Sequence, residues 1–130
     1  MLSIPTFPPT PYILHPTPQN KGATIMVLNI KDLVKTNKSF DSSLWQGEKM
    51  QINLISIMPR QDIGLKINHE AEQLIKIENG KCAVYLGRDE NCSDLRERAE
   101  GGQLLIIPKS TYYNIINIGS FPLKAYIISA

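Results

Sequence analysis

The sequence predicts an all-β domain, and three observations carry that expectation. Short apolar runs with period-2 alternation recur from residue 51 onward, the clearest being Gln51 to Met58. Glycine-containing turn signals separate them: Asn79-Gly80, Gly101-Gly102 and Gly119-Ser120. No segment sustains the 3.6-residue apolar period of a long amphipathic helix. Eight or so short strands on this pattern make a β-sandwich or barrel.

Composition sets the frame. A chain of 130 residues fits one domain, with enough length for a core without disulfides. A hydrophobic share of 42% against 20% charged is that of a globular chain. A net charge of +2, with scattered basic residues, argues against a nucleic-acid partner. No run approaches the ~18 apolar residues of a membrane span. The N-terminus lacks the basic and apolar regions of a secretory signal, so none is expected.

Residues 1–22 form the first predicted region, an extended arm. Residues 1–20 hold six of the nine prolines and no charged side chain. Proline fixes φ and removes a donor, so neither a helix nor a central strand runs through. Leu2, Ile4, Phe7, Tyr12, Ile13 and Leu14 make the arm apolar. Such a segment gains by leaving water, at about 25 cal/mol per Å². Two docking sites are open to it: its own barrel, or a neighbouring copy as in strand exchange.

The second predicted region, residues 23–130, is the β domain. Ala23 to Ile30 reads as a short strand, and Lys31 to Phe40 as polar with one helical turn after Asn29. Leu65, Ile67, Leu74, Ile75 and Ile77 are strand-like. Asn79-Gly80 is the strongest hairpin signal, since both residues tolerate positive φ. Lys81 to Gly87 is the return strand. The mixed charges of residues 88–100 read as a solvated loop. Leu104 to Ile107 is continuously apolar, as a fully buried strand would be. Tyr112 to Ile118 and Leu123 to Ser129 complete the set.

Two stretches, Gly64 to Gly80 and Gly102 to Asn117, resemble the paired motifs of the cupin family. Gly102, Pro108 and Asn117 fall on the second motif's spacing, with Ser110 at its glycine and Tyr113 at its histidine. Counting back from Gly80 puts Gln73 at the first motif's glutamate, with His69 and Ile67 at its histidines. A variant alignment sets Asn68 there instead. Phe40, Leu44, Trp45, Gly47 and Glu48 resemble the segment that leads into the barrel of similar cupins. The resemblance covers about residues 40–130. It implies a cupin double-stranded β-helix, or jelly-roll barrel, of the small mannose-6-phosphate isomerase-like type, behind an extended Pro-rich arm.

The family's metal centre uses imidazole and carboxylate ligands from both motifs. His69, Gln73 and Tyr113 are weak candidates, because a neutral amide and a phenol of ordinary pKa ~10 are poor ligands. No metal and no other cofactor is therefore expected, with a divalent transition metal as the alternative. Gln73, Tyr113, His69 and Trp45 are the candidate pocket lining. The other reading has Gln73 and Tyr113 as a hydrogen-bonded pair filling the barrel mouth, with His69 on the rim. No catalytic residue is assigned: His15 and His69 lack a nucleophile and an orienting acid nearby in sequence. Cys82 and Cys92 read either as free thiols or as a bridge across a short loop.

Two functions follow as expectations. One is a non-catalytic structural cupin whose arm, residues 1–20, joins copies into an oligomer or filament, with assembly at a cell or spore surface as one setting. The other is an enzyme or binder of a sugar- or carboxylate-type small molecule.

Overall fold

Asn29 opens the first regular element. Its side-chain carbonyl accepts from the Asp32 N–H at 3.5 Å, and its backbone carbonyl accepts from the Leu33 N–H at 3.1 Å. That N-cap opens helix α1, Ile30–Thr36. The computed structural model describes residues 25–130. The predicted arm, residues 1–22, lies outside the described residues. The strand expected over 23–30 does not form in its described part: residues 25–29 belong to no strand, and the Asn29 cap commits Ile30 to the helix.

Eight strands follow: β1 (Asp41–Gln46), β2 (Gln51–Ile57), β3 (Gln73–Asn79), β4 (Lys81–Gly87), β5 (Leu95–Glu100), β6 (Leu104–Ile107), β7 (Tyr112–Asn117) and β8 (Leu123–Ser129). They form two antiparallel sheets, a larger one ordered β1-β2-β8-β3-β6 and a smaller one ordered β5-β4-β7. The inner faces enclose one core that includes Ile55, Ile57, Ile75, Ile77, Val84, Ile115, Leu123 and Ile127. Leu33 and Val34 of α1 pack on Leu44 and Leu54 and cover part of the larger sheet's outer face.

The two motifs pair strand with strand. β3 pairs with β6 in the larger sheet, and β4 with β7 in the smaller. Asn79-Gly80 is therefore not a hairpin turn. A single residue separates β3 from β4, too few to fold one back on the other, so the chain bends from one sheet into the next. Gly80 makes that corner at φ 106°, with the Leu123 Cα only 3.1 Å from where a Cβ would stand.

Three further expectations are corrected, and of the two readings of the cysteines the free thiols hold. The charged stretch is a loop only to residue 94. Leu95–Glu100 is an edge strand on β4, anchored by buried Ala99 opposite Cys82, with its charges turned to water. Leu65 and Ile67 belong to no strand, because residues 62–66 touch β7 only through the bridges Asp62–Ile116 and Lys66–Tyr113. Leu104 to Ile107 is not buried on both faces: it lies at a sheet edge, with Leu104 54% and Ile106 60% exposed. Cys82 and Cys92 are both free and buried. Cys92 sits against Gly87, five residues along β4 from Cys82. At ~3.3 Å per residue that is roughly 16 Å, beyond the reach of a disulfide.

Candidate functional site

The pleat decides what faces the barrel interior. Register on the larger sheet gives three inward rows. One runs Ile77, Ala125, Ile55, Asp41. The next runs Leu105, Ile75, Ile127, Asn53, Ser43. The third runs Ile107, Gln73, Ser129, Gln51. Each row begins apolar at its β6 or β3 end and finishes polar at its β2 or β1 end, the change falling at a different strand in each. The interior is thus an oily core with one polar wall, and the motif positions lie where the two meet.

Tyr113 enters from the smaller sheet and is 1% exposed. Its hydroxyl donates to Gln73 Oε1 at 2.7 Å, and Gln73 Nε2 donates to Ser129 Oγ at 3.0 Å. The two motif positions are joined directly, across 40 residues of sequence. Burial pushes the Tyr113 phenol up to about 12, nearby Asp41 adds to the rise, and the Gln73 hydrogen bond opposes it. Alongside, Asp41 accepts from Asn53 Nδ2 at 2.9 Å and from Lys66 Nζ at 3.4 Å. Ser43 Oγ, in the same wall, is buried without a hydrogen-bond partner among the described residues.

His69 is not part of this group. It is exposed, and its Nδ1 lies 3.1 Å from Ser110 Oγ. Ser110 stands at the motif glycine and adopts that glycine's backbone, at φ 63°. Its N–H donates to the Asn68 carbonyl at 2.7 Å. Asn68 Oδ1 in turn accepts from the Glu70 and Ala71 N–H groups, both at 2.9 Å. Asn68 is therefore occupied in shaping a turn. Ile67, at the first motif histidine, has no donor atom to offer a metal.

Trp45 does not line the interior. Plain alternation from Asp41 would point it inward. A β-bulge shifts the register between Ser43 and Trp45, so Trp45 pairs with Ile52 on the face opposite Gln73. Its indole instead lies over Gly47, with Nε1 only 2.6 Å from where a Cβ would stand.

The donors present do not suit the metal that the motifs imply in similar proteins. Both polar ends of Gln73 are engaged, Tyr113 holds its proton far above neutral pH, and His69 is tied to Ser110 on the rim. Among the described residues no three His, Cys, Asp or Glu side chains come together. The motif asparagine is also structural. Asn117 is fully buried, and its Nδ2 donates to the Ile57 and Phe121 carbonyls at 2.8 and 2.9 Å. Its Oδ1 accepts from the Gly119 N–H at 2.8 Å.

Sequence reasoning missed Ser129, Asp41, Asn53 and Lys66. Ser129, Asp41 and Asn53 come from strands outside either motif, Lys66 from the loop that opens the first motif, and only register brings them to the wall. Two hollows flank the barrel. One, of about 360 Å³, lies beside Ser129 at the mouth and is lined by Glu48, Lys49, Gln51, Asn68 and Glu70. The other, of about 300 Å³, includes Tyr85, Cys92 and Asn114, whose Oδ1 is buried without a partner among the described residues. Burial and the charge of Asp89 raise the Cys92 thiol above its ordinary value.

Comparisons with known proteins agree with this geometry. No protein-family model matches the chain. The crystal structure of BH2720 from Bacillus halodurans is similar at a TM-score of 0.79 and 34% identity, covering 85% of this chain and 84% of that one. The uncharacterized protein YrkC of Bacillus subtilis is 33% identical over 109 residues, 84% of this chain and 59% of YrkC. The chain thus spans little more than half the length of that curated relative. A cupin superfamily protein of Desulfitobacterium hafniense, DSY2733, matches at a TM-score of 0.62 and 17% identity, over 82% of this chain and 92% of that one. Two antiparallel sheets around one core, motif strands paired across them and this set of neighbours lead to one assignment: the chain has the cupin fold.

Proposed function

We propose that this protein is a non-catalytic cupin that acts as a self-associating building block, with its apolar, Pro-rich residues 1–22 docking on neighbouring copies. One observation carries the non-catalytic part: the Tyr113–Gln73–Ser129 chain. It consumes, within the barrel, the groups at two of the positions where the family's motifs present ligands. A phenol that keeps its proton to about 12 is neither a ready ligand nor a general base at neutral pH. The arm's composition supports the assembly part, since six prolines among 20 uncharged residues leave it apolar and unable to fold on itself.

The test compares the full chain with one beginning at Gly22, by light scattering and electron microscopy of the same samples. The barrel and α1 lie entirely within residues 25–130, so the shorter chain retains every described element. The expected result is a large assembly for the full chain and a monomer or dimer for the shorter one. Equal size for both would overturn the arm's role.

A second reading rests on the polar hollow at the mouth. With Lys49 beside Glu48, Glu70 and two amides, it fits a sugar- or carboxylate-bearing small molecule. Calorimetric titration with mannose 6-phosphate would support it by saturable heat that Lys49→Ala removes.

A further inference from the structure

β6 consists of four apolar residues, Leu104, Leu105, Ile106 and Ile107, at one edge of the larger sheet. Among the described residues its sole strand partner is β3. Leu104 and Ile106 face outward and are more than half exposed, on the face where Leu74 and Ile128 lie in the same row as Ile106. Helix α1 packs on Leu44 and Leu54 and reaches across β8 to β3, yet it leaves Leu104 and Ile106 of β6 more than half exposed.

The remaining edges are guarded. β1 carries Asp41 and the bulge at Ser43–Trp45. β5 carries Arg96, Glu97, Arg98 and Glu100. The outer side of β7 takes up Asp62 and Lys66 through single bridges. Charges, bulges and covering loops are the ordinary means of blocking edge-to-edge pairing, and among the described residues β6 has none of them along its length. Its sequence is that of a strand covered on both faces, whereas its own chain among the described residues covers one.

We infer that β6 pairs antiparallel with β6 of a second copy about a two-fold axis, with Leu105 opposite Leu105. That register sets Leu104 of each copy against Ile106 of the other on the outer face. The flanking charges favour this occupant and this direction. Glu100 precedes the strand and Lys109 follows it, so antiparallel pairing brings each lysine near the other copy's glutamate, whereas parallel pairing would align like charges. The Pro-rich residues 1–20 suit the edge poorly, because prolines lack the N–H groups that a ladder requires. An edge of four residues falls well short of the ~800 Å² per partner of a standard interface, so the dimer is weak and concentration-dependent.

This pairing is independent of the arm, and the experiment separates the two. Sedimentation velocity is run on the full chain over a hundredfold range of concentration, with Ile106→Lys and Leu104→Glu variants, singly and mixed in equal amounts. Both sites are exposed, so both variants retain the wild-type thermal transition. The expected result is a wild-type association that grows with concentration, weakened at least tenfold in each variant alone, and regained in the mixture. The mixture places the introduced ammonium opposite the introduced carboxylate, and the regain disappears in high salt. A wild type that stays monomeric throughout overturns the proposal. So does a mixture no better than its components. Association untouched by both variants but lost when the chain begins at Gly22 upholds the arm and overturns the edge.

Discussion

The two ends of the barrel hold the two kinds of motif residue, and they are built differently. At one end Asn117 keeps the family's side chain and spends every polar atom on backbone groups, including the carbonyl that closes β2. At the other end Gln73 and Tyr113 replace the family's ligands and spend their polar atoms mainly on each other and on Ser129. The conserved-looking position is architecture. The substituted positions have become architecture too, by a different route. A motif can therefore survive in spacing and backbone shape while its chemistry is converted into packing.

The comparison is broken most severely at Asn117. Asn117→Ala strips three hydrogen bonds, one buried and two part-buried, and takes that partner from two carbonyls and an N–H. The expected loss is about 3–5 kcal/mol, measured by urea unfolding at unchanged m-value. A loss below ~1 kcal/mol would mean that water satisfies this end, and the contrast would fail.

Tyr113→Phe tests the other end more gently. It removes one donor and leaves Gln73 Oε1 free to turn to water, for an expected loss of about 1–2 kcal/mol. The same variant alters the alkaline limb of stability. The folded-state pKa of Tyr113 lies above the ordinary phenol value, so the unfolded chain ionises first as pH rises. The Tyr113 contribution is intact below pH 10 and is lost between 10 and about 12. Burial raises Cys82 to about 11 and adds to the fall. Tyr113→Phe should flatten this limb by about 2 kcal/mol at its upper end, read from denaturant midpoints at stepped pH. An unchanged limb would remove the phenol from the explanation.

The smallest effect is expected at the rim. Ser110 holds a left-handed backbone that costs a non-glycine residue about 1 kcal/mol, and it contacts His69 in return. Ser110→Gly relieves the first, gives up the second and adds freedom to the unfolded chain. Thermal unfolding should move by less than ~1 kcal/mol in equivalent stability. A large loss would make the Ser110–His69 contact more than a rim feature.

Much of this was legible from residues alone. Alternation located β2, and Gly102, Pro108 and Asn117 set the frame of β6 and β7. Counting back from Gly80 singled out Gln73, the spacing of Gly102, Pro108 and Asn117 singled out Tyr113, and the two are in hydrogen-bond contact. What was illegible depended on partners. Asn79-Gly80 has hairpin chemistry, yet only the assignment of β3 and β4 to different sheets makes it a corner. Residues 95–100 lack a strand's usual composition because only Ala99 is buried. Trp45 was misplaced because a bulge leaves no mark on composition, and one extra residue reverses every later side chain.

The position of β8 has a consequence in time. It lies between β2 and β3, so the larger sheet divides into two halves without it. Yet it emerges from the ribosome after every other described strand. Until residues 123–129 are available, β1-β2 and β3-β6 are separate ribbons with raw apolar edges. The sheet closes late, by joining residues 45 to 78 positions apart, and a pairing of such long range is slow to form. A nascent chain stalled before Leu123 would be held in its most aggregation-prone form, and for this protein the final strand is the step that ends that exposure.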